Sequence, residues 1–151
     1  MLRARLNDAL KTAMKAKDQN AVSTVRLILA ALKDRDIAAR SKGNMEGIDQ
    51  DEILAMLQSM IKQRRESIAL YEKGGRVDLA EQEAQEIKII EQFLPSQLNE
   101  QEMSEAIKTT IAEAGPCCLK DMGKIMATLR ERYAGRMDFA KASALVKQAL
   151  A

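Results

Sequence analysis

A chain with no histidine must find any acid–base chemistry among carboxylates, thiols, lysines and tyrosines. Its one pair of thiols is Cys117-Cys118. Adjacent cysteines strain the peptide between them if bridged, and two neighbours hold no metal without further ligands. A helix start and Lys120 would lower a thiol pKa there, yet the plainer role is that of small residues in a tight turn after Pro116. Glu81, Glu83 and Glu86 recur as a helix surface does, not as a catalytic dyad. Gly74-Gly75 lacks the rest of a phosphate-binding loop and reads as a turn between helices. No nucleophile with a base, nucleotide loop or metal set can be assembled, so neither catalysis, cofactor nor metal is expected.

The basic residues say more. The net charge is only +2, but over residues 116–151 seven Lys/Arg stand against three Asp/Glu, and over 76–105 two stand against eight. The C-terminal set is Lys120, Lys124, Arg130, Arg132, Arg136, Lys141 and Lys147. Lys120 and Lys124 are four apart and share a helix face. Lys120 and Arg136 lie near helix starts, where backbone amides also meet phosphates. Such a surface suits reading the backbone of a structured RNA. With 3% aromatic residues and no tryptophan, it does not suit stacking on single strands, and Tyr133 and Phe139 are expected in the core. The run Lys62-Gln63-Arg64-Arg65 invites the same RNA reading. Arg64, however, falls on the apolar stripe of its helix. A fold-back at Gly74-Gly75 sets Arg64 and Arg65 opposite Glu83 and Glu86, so internal ion pairs are expected there.

These residues need elements to hold them, and the hydrophobic period supplies only helices. Leu2, Leu6, Ala9, Leu10, Ala13 and Met14 mark a first helix over 2–16. Asp18 caps a second, carried by Val22, Val25, Ile28, Leu29 and Leu32 to about Ala39. Asp49 with Glu52 has capping-box spacing and opens a long third helix, which Gly74-Gly75 ends. Asp78 with Glu81 restarts the chain, and so short a connection makes the third and fourth helices antiparallel neighbours. Pro95 stops the fourth and marks a domain boundary. Asn99 with Glu102 opens a fifth helix closed by Gly115-Pro116. Leu119 to Tyr133 is a sixth and Asp138 caps a seventh. Gly123 inside the sixth costs about 1 kcal/mol against alanine; close helix packing is its expected reason, a backbone surface offered to RNA the alternative. The expectation is an all-α protein with a four-helix N-terminal domain, 1–94, and a three-helix C-terminal domain, 95–151.

The segments KQRRESI, KGGRVDLAEQE, EIKIIEQFLPSQL and KDMGKIM, in this order over almost the whole chain, resemble the YqeY family. These are small bacterial proteins similar to the C-terminal helical tail of the B subunit of the glutamine-dependent tRNA amidotransferase. The resemblance implies the two-part helical architecture and kinship with a tail that contacts tRNA. It does not imply the parent enzyme's carbon–nitrogen ligase activity with glutamine as amido donor, because the catalytic body is missing. Two departures stand out: Cys118 occupies a position where a Ser or Thr cap is expected, and Met137-Asp138-Phe139 is bulkier than the family pattern.

The expected partner is therefore tRNA or a tRNA-bound complex, met by the C-terminal domain. The alternative is a protein–protein adaptor using the acidic fourth helix or a Met-lined groove, since the chain has nine methionines. No apolar run approaches the ~20 residues that span a bilayer. The N-terminus, interrupted by charge every few residues, is not a secretory signal, and a cytoplasmic protein is expected.

Overall fold

Leu6, Ile28, Met56, Leu57 and Ile90 are fully buried, and the helical period that spaces them places one core between four helices. The computed structural model describes residues 2–115 and 119–150, and among them all regular structure is helical, in seven α-helices. Two compact units divide the chain, Met1–Pro95 and Ser96–Ala151. The cysteine pair and its expected capping role lie outside the described residues.

In the first unit, α1 (Leu2–Lys15) buries Leu2, Leu6 and Ala13. Met14, expected on the same stripe, is 52% exposed. α2 (Gln19–Ser41) begins at Asp18, whose carboxylate accepts from the Ala21 N–H. α3 (Gln50–Lys73) begins at Asp49, which accepts from the Glu52 N–H at 2.8 Å. α4 (Val77–Glu91) packs against α3 more extensively than any other pair of helices does. The turn between them depends on Gly75, whose φ of 73° lies in the left-handed region. Asp78 is not the cap of α4. The helix starts two residues earlier, at Val77, with Arg76 at the cap position and no side-chain cap, and the Asp78 carboxylate accepts instead from Arg76 at 3.2–3.3 Å.

A polar clasp ties α1, α2 and the loop before α3. Arg3 donates through both terminal nitrogens to Asp36, at 2.6 and 2.7 Å, and also to the Ile48 carbonyl at 2.8 Å. Asp36 in turn accepts from the Ile48 N–H at 2.9 Å. Gly47, at φ 92°, makes room for this: a Cβ there would stand 2.5 Å from the Asp36 carboxylate and 2.8 Å from the Arg3 guanidinium.

The second unit packs α5 (Glu100–Ala114), α6 (Met122–Arg132) and α7 (Phe139–Leu150) around Met103, Ile107, Ile125, Met126, Leu129, Met137 and Val146. Asn99 and Glu102 form a complete capping box on α5, and Gly115 closes the helix at φ 61°. The sixth helix is shorter than expected: Leu119–Asp121 is a 3-10 turn and the α-helix ends at Arg132. Asp138 caps α7, accepting from the Ala140 N–H at 3.0 Å. Tyr133 and Phe139 pack against the core as partly buried groups, and the bulk of Met137 is spent inside it, 1% exposed. The entry and exit of the unit are sewn together, because the Leu98 N–H donates to the Arg136 carbonyl at 2.9 Å, Arg136 Nε to the Ser96 carbonyl at 2.9 Å, and Gln97 to the Gly135 carbonyl.

No helix among the described residues is long and apolar enough to cross a membrane. Thr24 is fully buried with its hydroxyl unpaired. Thr24→Val, nearly isosteric, should raise stability by about 1 kcal/mol in urea melts. Asp36, held by Arg3 hydrogen bonds and the Ile48 amide, has its carboxyl depressed to about 2 from 3.8. A depressed folded value means stability fully present above pH 3.8 and lost as pH falls toward 2. Asp36→Asn should cost about 1–2 kcal/mol at pH 7, the upper end reduced by solvent at the clasp. It should also flatten that acid limb in melts followed by circular dichroism.

Candidate functional site

The α3–α4 hairpin holds the one tight cluster of charges predicted from the sequence. Arg64 Nε lies 3.0 Å from Glu86 and 3.8 Å from Glu83, with the guanidinium also donating to the Met60 carbonyl at 3.4 Å. Its side chain is 13% exposed. Arg65 does not join them. One residue is about 100° of helix, so Arg65 is turned out of the half-buried cluster and meets Glu91, at the end of α4, on the exposed edge at 3.6 Å. Two carboxylates around one guanidinium leave a negative excess in a half-buried seam. Burial first, then the Glu86 charge, push the Glu83 carboxyl above its ordinary 4.5, while Arg64 pulls it down. The cluster holds α4 against α3, and Lys62 and Gln63 are left on the solvent side.

The C-terminal basic residues are all in the second unit but do not share one face. Arg132 pairs with Glu113 of α5 at 2.6 Å. Arg136 is half-buried, and its bond to Ser96 makes it part of the strap that closes the unit. Lys141 and Lys147 are exposed on α7, six residues and therefore about 120° apart. On α6, Arg130 and Arg132 fall on opposite flanks of the helix.

Lys120, Lys124 and Arg130 are exposed around a floor made by Gly123 and Ala127. Among the described residues Gly123 has no packing neighbour: a Cβ there would meet none of them within 4 Å. The expected close helix contact is absent because α6 turns Ile125, Met126 and Leu129 inward and Gly123 outward. A strip of backbone with little side-chain bulk thus lies open between cations, with Glu131 as the acid beside it. The sequence singled out Gly123 and the lysines separately; only the helix phase joins them.

A hollow of about 270 Å³ in the first unit was not anticipated. Leu2, Leu54, Phe93 and Leu94 line it with Arg5, whose guanidinium stands 5.8 Å over the Phe93 ring and donates to the Gln92 carbonyl at 3.0 Å. The joining of Leu2, Arg5 and Phe93 is long-range and leaves no trace in local spacing. Among the described methionines, Met56, Met60, Met103, Met126 and Met137 are buried, whereas Met14 and Met45 are exposed. The acidic face of α4 is partly consumed by Arg64 and Arg65.

Fold and surface together define a small helical protein that presents charge and open backbone. No group of three His, Cys, Asp or Glu is placed to hold a metal among the described residues. The chain belongs to the YqeY family, the Yqey-like proteins, whose model matches residues 3–150. It is 38% identical over 90 residues to altered inheritance of mitochondria protein 41, mitochondrial, of Kluyveromyces lactis, covering 60% of this chain and 46% of that one. It is 30% identical over 129 residues to the protein of the same name in Saccharomyces cerevisiae, covering 80% and 68%. An uncharacterized protein of Schizosaccharomyces pombe is 30% identical over 94 residues, covering 62% and 72%. The chain spans about half the length of the Kluyveromyces protein. The cytoplasmic placement expected above is overturned by these relatives, which are named as mitochondrial in Kluyveromyces and Saccharomyces. An N-terminal stretch that fails as a secretory signal says nothing of other compartments. These relatives are also fungal, where the resemblance implied bacterial proteins.

The hairpin cluster yields a test with a definite sign. Folded Glu83 holds its proton more tightly than unfolded Glu83, so its contribution is complete at low pH and is lost as pH rises through the raised value. Glu83→Gln should therefore be at least as stable as the parent at pH 7. Arg64→Ala, which strands both carboxylates, should lose about 2 kcal/mol. Urea melts between pH 4 and pH 7 decide it: a Glu83→Gln variant weaker than its parent at pH 7 contradicts the charge excess.

Proposed function

We propose that this YqeY-family chain is a non-catalytic binding module built as a four-helix domain, 1–94, and a three-helix domain, 95–151. Its second domain meets the phosphate backbone of a structured RNA. The observation that carries this reading is the outward Gly123–Ala127 floor of α6 between Lys120, Lys124 and Arg130. Phosphates approach such a strip closely because no side chain keeps them off, and flanking cations gain from releasing condensed counterions. The charge layout supports the same face: α5 carries Glu100, Glu102, Glu105 and Glu113, whereas the acids beyond it are only Asp121, Glu131 and Asp138. tRNA is the RNA to try first, because the sequence motifs resemble the tail of a tRNA amidotransferase. Arg132 and Arg136 serve the fold in this reading. Lys141 and Lys147 add long-range attraction. An adaptor role is favoured separately by the outer face of α2.

The test is binding of tRNA by fluorescence anisotropy over a salt series. Lys124→Glu and Arg130→Glu should each weaken binding and lower the slope of log K against log salt by about one. Gly123→Ala, in the first turn of α6, should stabilise the protein by roughly a few tenths of a kcal/mol yet weaken tRNA binding severalfold. Undiminished affinity in the Lys124→Glu/Arg130→Glu double variant refutes the proposal. Purified protein given glutamine and mischarged tRNA should produce no amidated product.

A further inference from the structure

The helix α2 is amphipathic in an unusual sense, with apolar residues on both sides. Its inward side buries Val22, Val25, Ile28 and Leu32. On the opposite side Leu27 is 48% and Ile37 50% exposed, and Ala30 and Ala38 are exposed between and beside them. These four fall within one stripe about 100° wide, and Leu27 and Ile37 are separated by about 15 Å along the axis. Gln19, Asn20, Ser23, Asp34 and Ser41 complete the stripe, so Asp34 is its one charge. A solvated helix face usually carries Lys, Glu or Arg in such positions; here the cations stand beyond the stripe, Arg35 on one side and three others on the opposite one. Arg26, Lys33 and Arg40 recur every seven residues and are all exposed, forming a row that borders the stripe along three to four turns. Arg40 lies close enough to Asp36 to act on its charge, but that carboxylate is already engaged by Arg3 and the Ile48 amide.

We infer that the outer face of α2 docks an acidic amphipathic helix of a partner protein. The apolar stripe is long enough for two anchor residues of a facing helix, one against Leu27 and one against Ile37, with Ala30 and Ala38 letting the two helices approach. The basic row fixes which helix: its partner carries Glu or Asp along the edge facing Arg26, Lys33 and Arg40, and the potentials are complementary along the whole contact. Asp34 sets the register, because a facing helix must offer it a hydrogen-bond donor or leave it at the edge. This surface is in the first unit, uses none of the residues proposed to meet RNA, and stands or falls independently of them.

The experiment uses the full chain and a defined probe: a capped helical peptide of 21 residues, with leucines on one face and glutamates along one edge, labelled for anisotropy. Three controls accompany it, namely the same peptide with the glutamates changed to lysines, a scrambled acidic peptide, and vesicles of phosphatidylcholine with phosphatidylserine. The acidic amphipathic peptide should bind saturably and at least tenfold more tightly than the lysine version. Leu27→Gln/Ile37→Gln, which keeps helix and charge and replaces only exposed groups, should weaken it at least tenfold while the circular dichroism melt stays unchanged. Arg26→Glu/Lys33→Glu should reverse the preference toward the lysine peptide. Equal binding of the scrambled peptide, or indifference to the Gln double variant, overturns the inference. So does vesicle binding that depends on Leu27 and Ile37 without peptide preference, which would make the face a lipid contact. A concentration-dependent dimer in sedimentation that the same double variant dissolves would assign the face to a second copy of the chain and overturn it equally.

Discussion

The antiparallel contact between α3 and α4 is the constraint on which the first unit depends. Both helices bury residues along its length, from Leu57 and Ile61 on one to Ile87 and Ile90 on the other. The chain can reverse so sharply only because Gly75 adopts a left-handed backbone. Within that seam Arg64 is committed twice. Its aliphatic stem covers apolar surface, and its head must satisfy two carboxylates that would otherwise repel one another. Removing it leaves Glu83 and Glu86 facing each other in a half-buried place. The hairpin therefore owes its register to a charge as well as to a hydrophobic stripe. That is why the basic run beginning at Lys62 is a poor ligand surface: its most prominent member is used internally.

The same logic sorts the second unit. A basic side chain that satisfies a carbonyl or carboxylate of its own fold has lost much of what it could offer a polyanion. Arg136 holds the Ser96 carbonyl, and Arg132 faces Glu113. Among what remains accessible, Lys141 and Lys147 lie apart on α7, while Lys124 and Arg130 lie on the outer side of α6 beside a glycine whose added Cβ would meet nothing among the described residues. A first turn that accepts glycine where alanine would hold the helix better is more informative than a count of lysines.

Local signals in the sequence carried most of the fold. The caps at Asp18, Asp49, Asn99 and Asp138 are side-chain-to-amide bonds between residues two or three apart, and such bonds are written in spacing. The Arg64–Glu86 pair was legible because a tight turn converts sequence distance into a register. Where the reading went astray, the deciding contacts were either alternatives at equal local cost or distant. Asp78 had capping-box spacing but found Arg76. Arg65 had the right sequence neighbours but the wrong helix phase. Arg3, Asp36 and Ile48 meet across three elements, and no periodicity announces that. Gly123 stands out in the sequence, but composition cannot tell an inward glycine from the outward one that the helix phase gives.

Both candidate surfaces follow from departures of this kind, not from motif chemistry. A soluble helix normally hides its apolar stripe and covers the rest with long charged side chains. α2 breaks the second rule with Leu27 and Ile37 outward, and α6 breaks it with Gly123 and Ala127 outward. In each case the long cations have moved to the border. An apolar strip with a basic border favours a partner that brings its own apolar anchors and acids, whereas a bare backbone strip with a basic border favours phosphates. The two faces differ in what lies between the cations, and that difference decides which partner each one fits.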